Sequence, residues 1–288
     1  MAKTVDEKSS SRSVEVSGIK LHYNEAGEGP VLIFCEGAGP GTSAWVVYHR
    51  VIDTLSKHFR CLLLDQPGYG GSDAIVVKDE SRSTMYARYV RGFMDALNID
   101  KATIVDMSYY AQTAQVFALD NPDRTEKLVL HASGMFGPTL FANLPSEAFV
   151  AMYDAFANPS MPTMRRMMDT FLFNGKSYSD DELLLKQRLD NWLSRPDQQE
   201  ARLASSNIHR SLDADLARIK TPVLQIHGRD DLIAPVEGAL RLFNFLPDSR
   251  LVLLKNCGHW IPAERPEEFS RLVIDFIKNT DVAATSNS

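Results

Sequence analysis

Cysteine is scarce in this chain. Three are present in 288 residues, at positions 35, 61 and 257, without the close spacing of a metal site. An odd, sparse set argues against a disulfide framework and fits a reducing compartment. Long hydrophobic runs are missing too: no stretch approaches the ~20 apolar residues that span a bilayer. The opening residues, MAKTVDEKSSSRS, lack the apolar segment of a secretory signal and read as a solvated tail. Positive charge is in deficit, with 31 Lys and Arg against 37 Asp and Glu and a net charge of −6. That balance argues against a nucleic-acid partner. The glycines of 65-DQPGYGGSD-73 form no phosphate loop, since they lack the Lys-Ser/Thr of a P-loop and the G-x-G-x-x-G order. What remains is a globular, cytoplasmic protein without a membrane partner, and its 44% hydrophobic content suffices for a sizeable core.

Short apolar runs recur along the chain: 31-VLIFC-35, 61-CLLL-64, 103-TIV-105, 127-KLVLHA-132, 222-PVLQIH-227 and 251-LVLL-254. Their continuous hydrophobicity predicts strands covered on both faces, as in a parallel sheet. Between them, Tyr86, Tyr89, Val90, Phe93 and Leu97 follow helical spacing, and Pro266 opens a helix with Phe269, Leu272, Val273 and Phe276 on one stripe. The segments 14-VEV-16 and 20-KLHYNEAG-27 alternate and read as an antiparallel edge. The expected fold is α/β: a mostly parallel, doubly wound sheet. Residues 138–212 break the rhythm, with many Met, Phe and Leu and no convincing strand, and read as an inserted helical cap. Within it Phe171, Phe173, Met164 and Trp192 are candidates for core or pocket contacts. The resulting division is a tail at 1–13, core at 14–137, cap at 138–212, core again at 213–280 and a tail at 281–288.

Three residues able to carry chemistry fall just past predicted strands, in the order Ser108, Asp231, His259. In an open α/β sheet the ligand crevice lies beyond the carboxyl ends of the strands. A serine activated by a histidine that an acid orients is the acyl-transfer constellation, and this chain order is that of the α/β-hydrolase fold. In that fold the serine sits in G-x-S-x-G, because the strand-to-helix turn is crowded. The stretch 103-TIVDMSYYAQ-112 places Asp106 and Tyr110 where those glycines belong.

The stretches 36-EGAGPGTSAW-45, 65-DQPGYGGSD-73, 119-LDNPDR-124, 228-GRDDLIAP-235 and 258-GHW-260 resemble the meta-cleavage-product hydrolases. These α/β-hydrolase-fold enzymes split a carbon–carbon bond in ring-fission products of aromatic degradation, and the likeness covers about residues 14–278, cap included. The resemblance implies Ser108 as nucleophile, Asp231 as orienting acid and His259 as proton carrier. It implies that Arg188 meets the acidic end of a dienoate and that Trp260 lines the pocket. Backbone N–H groups near Gly37 and Ala38, and that of Tyr109, would form the oxyanion hole. A small-molecule substrate is implied, and no cofactor or metal. An oligomeric state is left open.

Departures from the family gather around this pocket. Glu36-Gly37 replaces His-Gly, Asp106-Met107-Ser108-Tyr109-Tyr110-Ala111 replaces Gly-Asn-Ser-x-Gly-Gly, and Val47 stands where Asn is common. Tyr110 is expected to press on the turn or swing into the pocket. Glu36 and Asp106 add carboxylates near an oxyanion site, where desolvation would make either a candidate general base. Three functions therefore stay open on the sequence: Ser-His-Asp hydrolysis of a C–C or ester bond; a cofactor-free lyase, cyclase, C–C coupling or proton abstraction using Glu36 or Asp106 beside His259; and a binding protein on a hydrolase scaffold.

Overall fold

Val31–Cys35 shows how the core is built. Leu32 and Phe34 enter one apolar cluster while Ile33 and Cys35 enter another on the opposite side of the sheet. The same split recurs for Leu63 against Leu62 and Leu64, and for Val105 and Met107 against Ile104. Alternate side chains of a strand point to opposite faces, so a continuous apolar run fits only a strand covered on both sides. The computed structural model describes residues 4–108, 111–134, 145–173 and 181–279.

Among the described residues eight strands form one sheet: β1 (Ser11–Val16), β2 (Ile19–Ala26), β3 (Val31–Cys35), β4 (Arg60–Leu64), β5 (Ala102–Met107), β6 (Thr125–His131), β7 (Val223–Gly228) and β8 (Ser249–Leu254). Their spatial order is β1-β2-β4-β3-β5-β6-β7-β8. The pairs β1–β2 and β2–β4 are antiparallel, and every pairing from β4 to β8 is parallel. The helices are α1 (Glu7–Ser10), α2 (Ala44–Leu55), α3 (Arg82–Ala96), α4 (Ala111–Asp120), α5 (Glu147–Ala157), α6 (Met161–Phe171), α7 (Glu182–Leu193), α8 (Pro196–Ala204), α9 (Val236–Phe245), α10 (Ile261–Glu264) and α11 (Pro266–Lys278). One face of the sheet carries α2, α10 and α11, and the other carries α3 and α4. None of the described helices is long and apolar enough to cross a membrane.

Between β6 and β7 the described residues hold α5 to α8 and no strand. Their starts follow the capping chemistry of the sequence, with Ser146, Ser160 and Asp181 each accepting an N–H of the first turn and Pro196 opening α8. Polar ties hold this layer to the loops beyond the carboxyl ends of β4 and β7. Arg195 donates to the Gly70 and Ser72 carbonyls, Gln198 donates to the Ser72 carbonyl, and the Ser146 hydroxyl donates to the Leu232 carbonyl.

The amino-terminal tail expected at 1–13 is corrected: from residue 4 it is ordered. Asp6 caps α1, the Val5 N–H donates to Asp53, Asn24 donates to the Glu7 carbonyl, and Ser11 begins the ladder with β2. The segment carries little apolar signal because an edge strand is held by its backbone ladder and shows one face to solvent.

Candidate active site

Ser108 stands where β5 ends and α4 is about to begin, with φ +59°. This left-handed conformation is strained for a residue with a Cβ, and it is what throws the side chain out at the top of the sheet. A Cβ on Gly37 would lie 3.0 Å from Met107 Cγ and 3.2 Å from Ser108 Cβ, so the loop after β3 passes directly beside the serine. Ala38, the next residue of that loop, is half-buried. Tyr109 and Tyr110, expected to supply an oxyanion N–H and a pocket ring, lie outside the described residues.

Two loops meet this serine. His259 Nε2 lies 2.9 Å from Ser108 Oγ, and His259 Nδ1 lies 2.7 Å from Asp231 Oδ2. An acceptor-only carboxylate at Nδ1 fixes the N–H there, leaving Nε2 to accept the serine proton. The other Asp231 oxygen accepts the N–H groups of Ile233 and Ala234 at 2.7 and 2.8 Å. Both side chains are buried, Asp231 at 5% and His259 at 3% exposure. The two loops lock together: Asp230 N–H donates to the Cys257 carbonyl, and a Cβ on Gly228 would sit 2.1 Å from the Gly258 carbonyl oxygen. Glycine is required there by close backbone approach.

Residues 145–173 and 181–204 add one wall. The Phe171 carbonyl accepts the His259 N–H at 2.7 Å, and its ring lies edge-on to the imidazole at 5.4 Å. Arg188 comes from α7. It is 4% exposed, donates from Nη2 to the Pro40 carbonyl at 3.0 Å, and lies with its guanidinium carbon 5.3 Å from the centre of the Trp260 ring. Its Nε has no partner and no carboxylate pairs with it among the described residues. Burial lowers its pKa to about 10, so the group stays charged at neutral pH. Val47, expected at the pocket, is 3% exposed within α2 and packs in the same apolar cluster as Phe171 and Trp260.

Glu36 and Asp106, the possible general bases, are both enclosed in the protein and bonded to backbone N–H groups. Asp106 falls on the α3/α4 side of β5, where one oxygen accepts the Met107 N–H at 2.8 Å and the other the Ala114 N–H at 3.1 Å. It satisfies the amino end of α4, a favourable place for a carboxylate. Glu36 accepts the Gln66 N–H at 3.0 Å with one oxygen, and its second oxygen is buried without a partner. Both residues are 0% exposed, so neither presents a surface to a substrate. Burial drives both carboxyls well above the usual range; the Asp65 charge adds to this at Glu36, and backbone N–H groups oppose it at each.

Sequence reasoning missed a second layer of imidazoles. His227 donates from Nε2 to the Ala234 carbonyl at 2.8 Å and lies 3.8 Å from Asp231 Oδ2. It thereby closes the loop whose amides hold the acid. His131, at the end of β6, is 0% exposed and lies 2.9 Å from the Tyr48 hydroxyl, which itself donates to the Cys35 carbonyl. The tyrosine proton is thus spent, and His131 must donate from Nε2. Burial first, then the neighbouring His259 and His227, lowers His131 to about 3. The spacing of His227, four residues before Asp231 at a strand end, was the available signal. Among the described residues no group of three or more His, Cys, Asp and Glu is placed to hold a metal ion.

The α/β hydrolase fold family matches residues 30–266. A 2-hydroxy-6-oxononadienedioate/2-hydroxy-6-oxononatrienedioate hydrolase of Paraburkholderia xenovorans is 36% identical over 271 residues, covering 90% of this chain and 91% of the relative. The chain belongs to the α/β-hydrolase family, among the meta-cleavage-product hydrolases. A 2-hydroxy-6-oxo-6-phenylhexa-2,4-dienoate hydrolase of Burkholderia cepacia is also 36% identical, covering 92% and 93% of the two chains. The meta-cleavage product hydrolase of Pseudomonas fluorescens IP01 superposes with a TM-score of 0.79 at 27% identity, covering 92% of this chain and 97% of that one. Within that family this chain has an altered elbow, in which Asp106 stands two residues before the serine.

Proposed function

We propose that this hydrolase cleaves the carbon–carbon bond beside the ketone of a 2-hydroxy-6-oxo-dienoate, using Ser108, His259 and Asp231. The observation that carries the reading is the continuous chain from Ser108 Oγ through both nitrogens of His259 to Asp231, with the serine at positive φ. A C–C bond breaks heterolytically only when the departing carbon can hold the electron pair. Moving the enol proton of such a dienol onto the carbon next to the ketone provides this: the pair released on cleavage then runs through the remaining double bond onto the 2-oxo oxygen. His259 is the group placed to move protons in this scheme. Ser108 Oγ adds to the ketone as His259 takes its proton, the C–C bond breaks, and water delivered by His259 frees the acid from the acyl-serine.

Arg188 supports the dienoate over a plain ester. Its buried, unpaired charge against the Trp260 face is costly unless an anion shares the site. The substrate carboxylate is that anion. Gly37 and Ala38, with the Tyr109 amide, are the candidate donors to the oxyanion. Placement in the cytoplasm is part of the proposal, supported by three buried free thiols. Self-association through the exposed apolar side chains of Leu240, Phe243 and Leu253 belongs to it as well.

The test is steady-state turnover of 2-hydroxy-6-oxo-6-phenylhexa-2,4-dienoate, the compound that names the Burkholderia cepacia relative, together with labelling by a fluorophosphonate. Turnover by wild type, abolished in Ser108→Ala, supports the proposal. Turnover that survives Ser108→Ala while labelling is lost would assign the chemistry to His259 and water instead.

A further inference from the structure

Glu264 lies outside the Ser108, His259 and Asp231 chain, yet its carboxylate gathers the backbone on both sides of the histidine. Gly258 N–H donates to both of its oxygens, at 3.0 and 3.1 Å, and Trp260 N–H donates to it as well. The same carboxylate takes a third amide from another layer: Phe173 N–H donates to Oε2 at 2.9 Å. Phe173 comes two residues after the end of α6, so this bond crosses from the inserted helices to the histidine loop. Two residues earlier, the Phe171 carbonyl accepts the His259 N–H at 2.7 Å. Contact here is tight enough to demand glycine at 258, where a Cβ would lie 2.5 Å from the Phe171 oxygen and 2.9 Å from the Phe173 nitrogen.

We propose that Glu264 is a positioning residue that clamps the end of α6 to the catalytic histidine, so that the inserted helices and the His259 imidazole are set as one unit. The inference rests on the serine-hydrolase reading of the site. Three amides converge on one anion, and bonds from backbone N–H to a carboxylate are stronger than neutral ones. The two residues flanking His259 are both held, which leaves the histidine backbone little freedom to turn. Phe171, whose ring centre lies 5.4 Å from that of the imidazole and nearly perpendicular to it, is fixed by the same contacts. Cutting the clamp loosens both the histidine and the wall beside it. Misplacement of a catalytic group by about 1 Å costs on the order of 10²-fold in rate.

Hydrogen exchange followed by mass spectrometry tests this on the full chain without any substrate, with fluorophosphonate labelling of Ser108 as the kinetic readout. Glu264→Gln keeps a single acceptor oxygen and serves if Glu264→Ala does not fold. In either variant, exchange should rise together in peptides covering Phe171–Phe173 and Gly258–Trp260 and stay unchanged in β3 and α3. Labelling well below the melting temperature should slow about 10-fold for Gln and about 10²-fold for Ala. Exchange that stays at wild-type level in both peptides overturns the clamp, as does labelling at the wild-type rate despite faster exchange. A residue that is merely structural would lower the melting temperature and leave the labelling rate alone, and that result also overturns it. Wild type that resists labelling refutes the serine-hydrolase reading instead; the exchange result then decides whether Glu264 clamps α6 to the histidine loop.

Discussion

Arg188 lies against the face of Trp260, guanidinium carbon 5.3 Å from the ring centre, buried and without a carboxylate partner among the described residues. A cation–π contact of this kind contributes roughly 2 kcal/mol or more when desolvated, less than burying an unpaired charge costs. In the proposed function the dienoate carboxylate makes up the difference.

Arg188→Gln should therefore raise KM for a dienoate substrate about 10- to 100-fold, the worth of a hydrogen bond to a charged group. Hydrolysis of a neutral aryl ester by the same variant should change by less than about threefold, because no anion meets the arginine. Parallel steady-state kinetics on the two substrates check this, and equal losses on both would remove the anion-binding role.

Asp231→Asn should lower kcat about 10⁴-fold while leaving the fold intact, since the amide cannot hold His259 in the required tautomer. The two N–H groups of Ile233 and Ala234 still find an oxygen, so the melting temperature should stay near wild type. Single-turnover kinetics with circular dichroism separates the two effects.

Gly37→Ala should slow catalysis about 10²-fold with little loss of stability. The added methyl meets Met107 Cγ at 3.0 Å and Ser108 Cβ at 3.2 Å, and the flexible methionine can yield where the strained serine cannot without moving. Phosphonate labelling rate against thermal melting reads this out.

Glu36 provides a pH test of stability. Its folded pKa is raised above its unfolded value, so its contribution is fully present below about pH 4.3 and is lost as pH rises toward the folded pKa. Glu36→Gln keeps the acceptor for the Gln66 N–H and removes the charge. Urea unfolding should show the variant gaining on wild type between pH 5 and pH 8, and a constant difference across that range would refute the buried-acid account.

His131 acts in the opposite direction. Its folded pKa, lowered to about 3, lies below the unfolded value near 6.5. Its contribution is present above the unfolded pKa and is lost as pH falls, at about 1.4 kcal/mol per unit for one proton. His131→Phe should flatten urea stability between pH 6 and pH 4, whatever it costs at neutral pH. A slope as steep as that of wild type would show that His131 is not held neutral.

Much of this protein was legible in one dimension. The strand runs from 31-VLIFC-35 to 251-LVLL-254 reappear within a few residues as β3 to β8; β3 to β7 are buried on both faces as their continuous apolar runs require, whereas β8, at the edge of the sheet, leaves Leu253 exposed. Ser108, Asp231 and His259 could be placed because each follows such a run, and ligand crevices form at those strand ends. The sequence by itself thus determined the sheet, the inserted helices and the members of the Ser-His-Asp chain. Only the tertiary structure decided what the buried charges do. Asp106 and Glu36 read as bases because the sequence shows their nearness to the serine and not their direction. Strand alternation turns Asp106 toward α4, where backbone amides engage both of its oxygens, and Glu36 is shut away from any surface. Order at residues 4–13 was equally invisible, since an edge strand is held by backbone hydrogen bonds that carry no side-chain signature. The roles of His131 and Glu264 depend on contacts with Tyr48 and with the Phe173 amide, both far away along the chain. Such partners are set by how the chain folds back on itself, and no local pattern of residues encodes them.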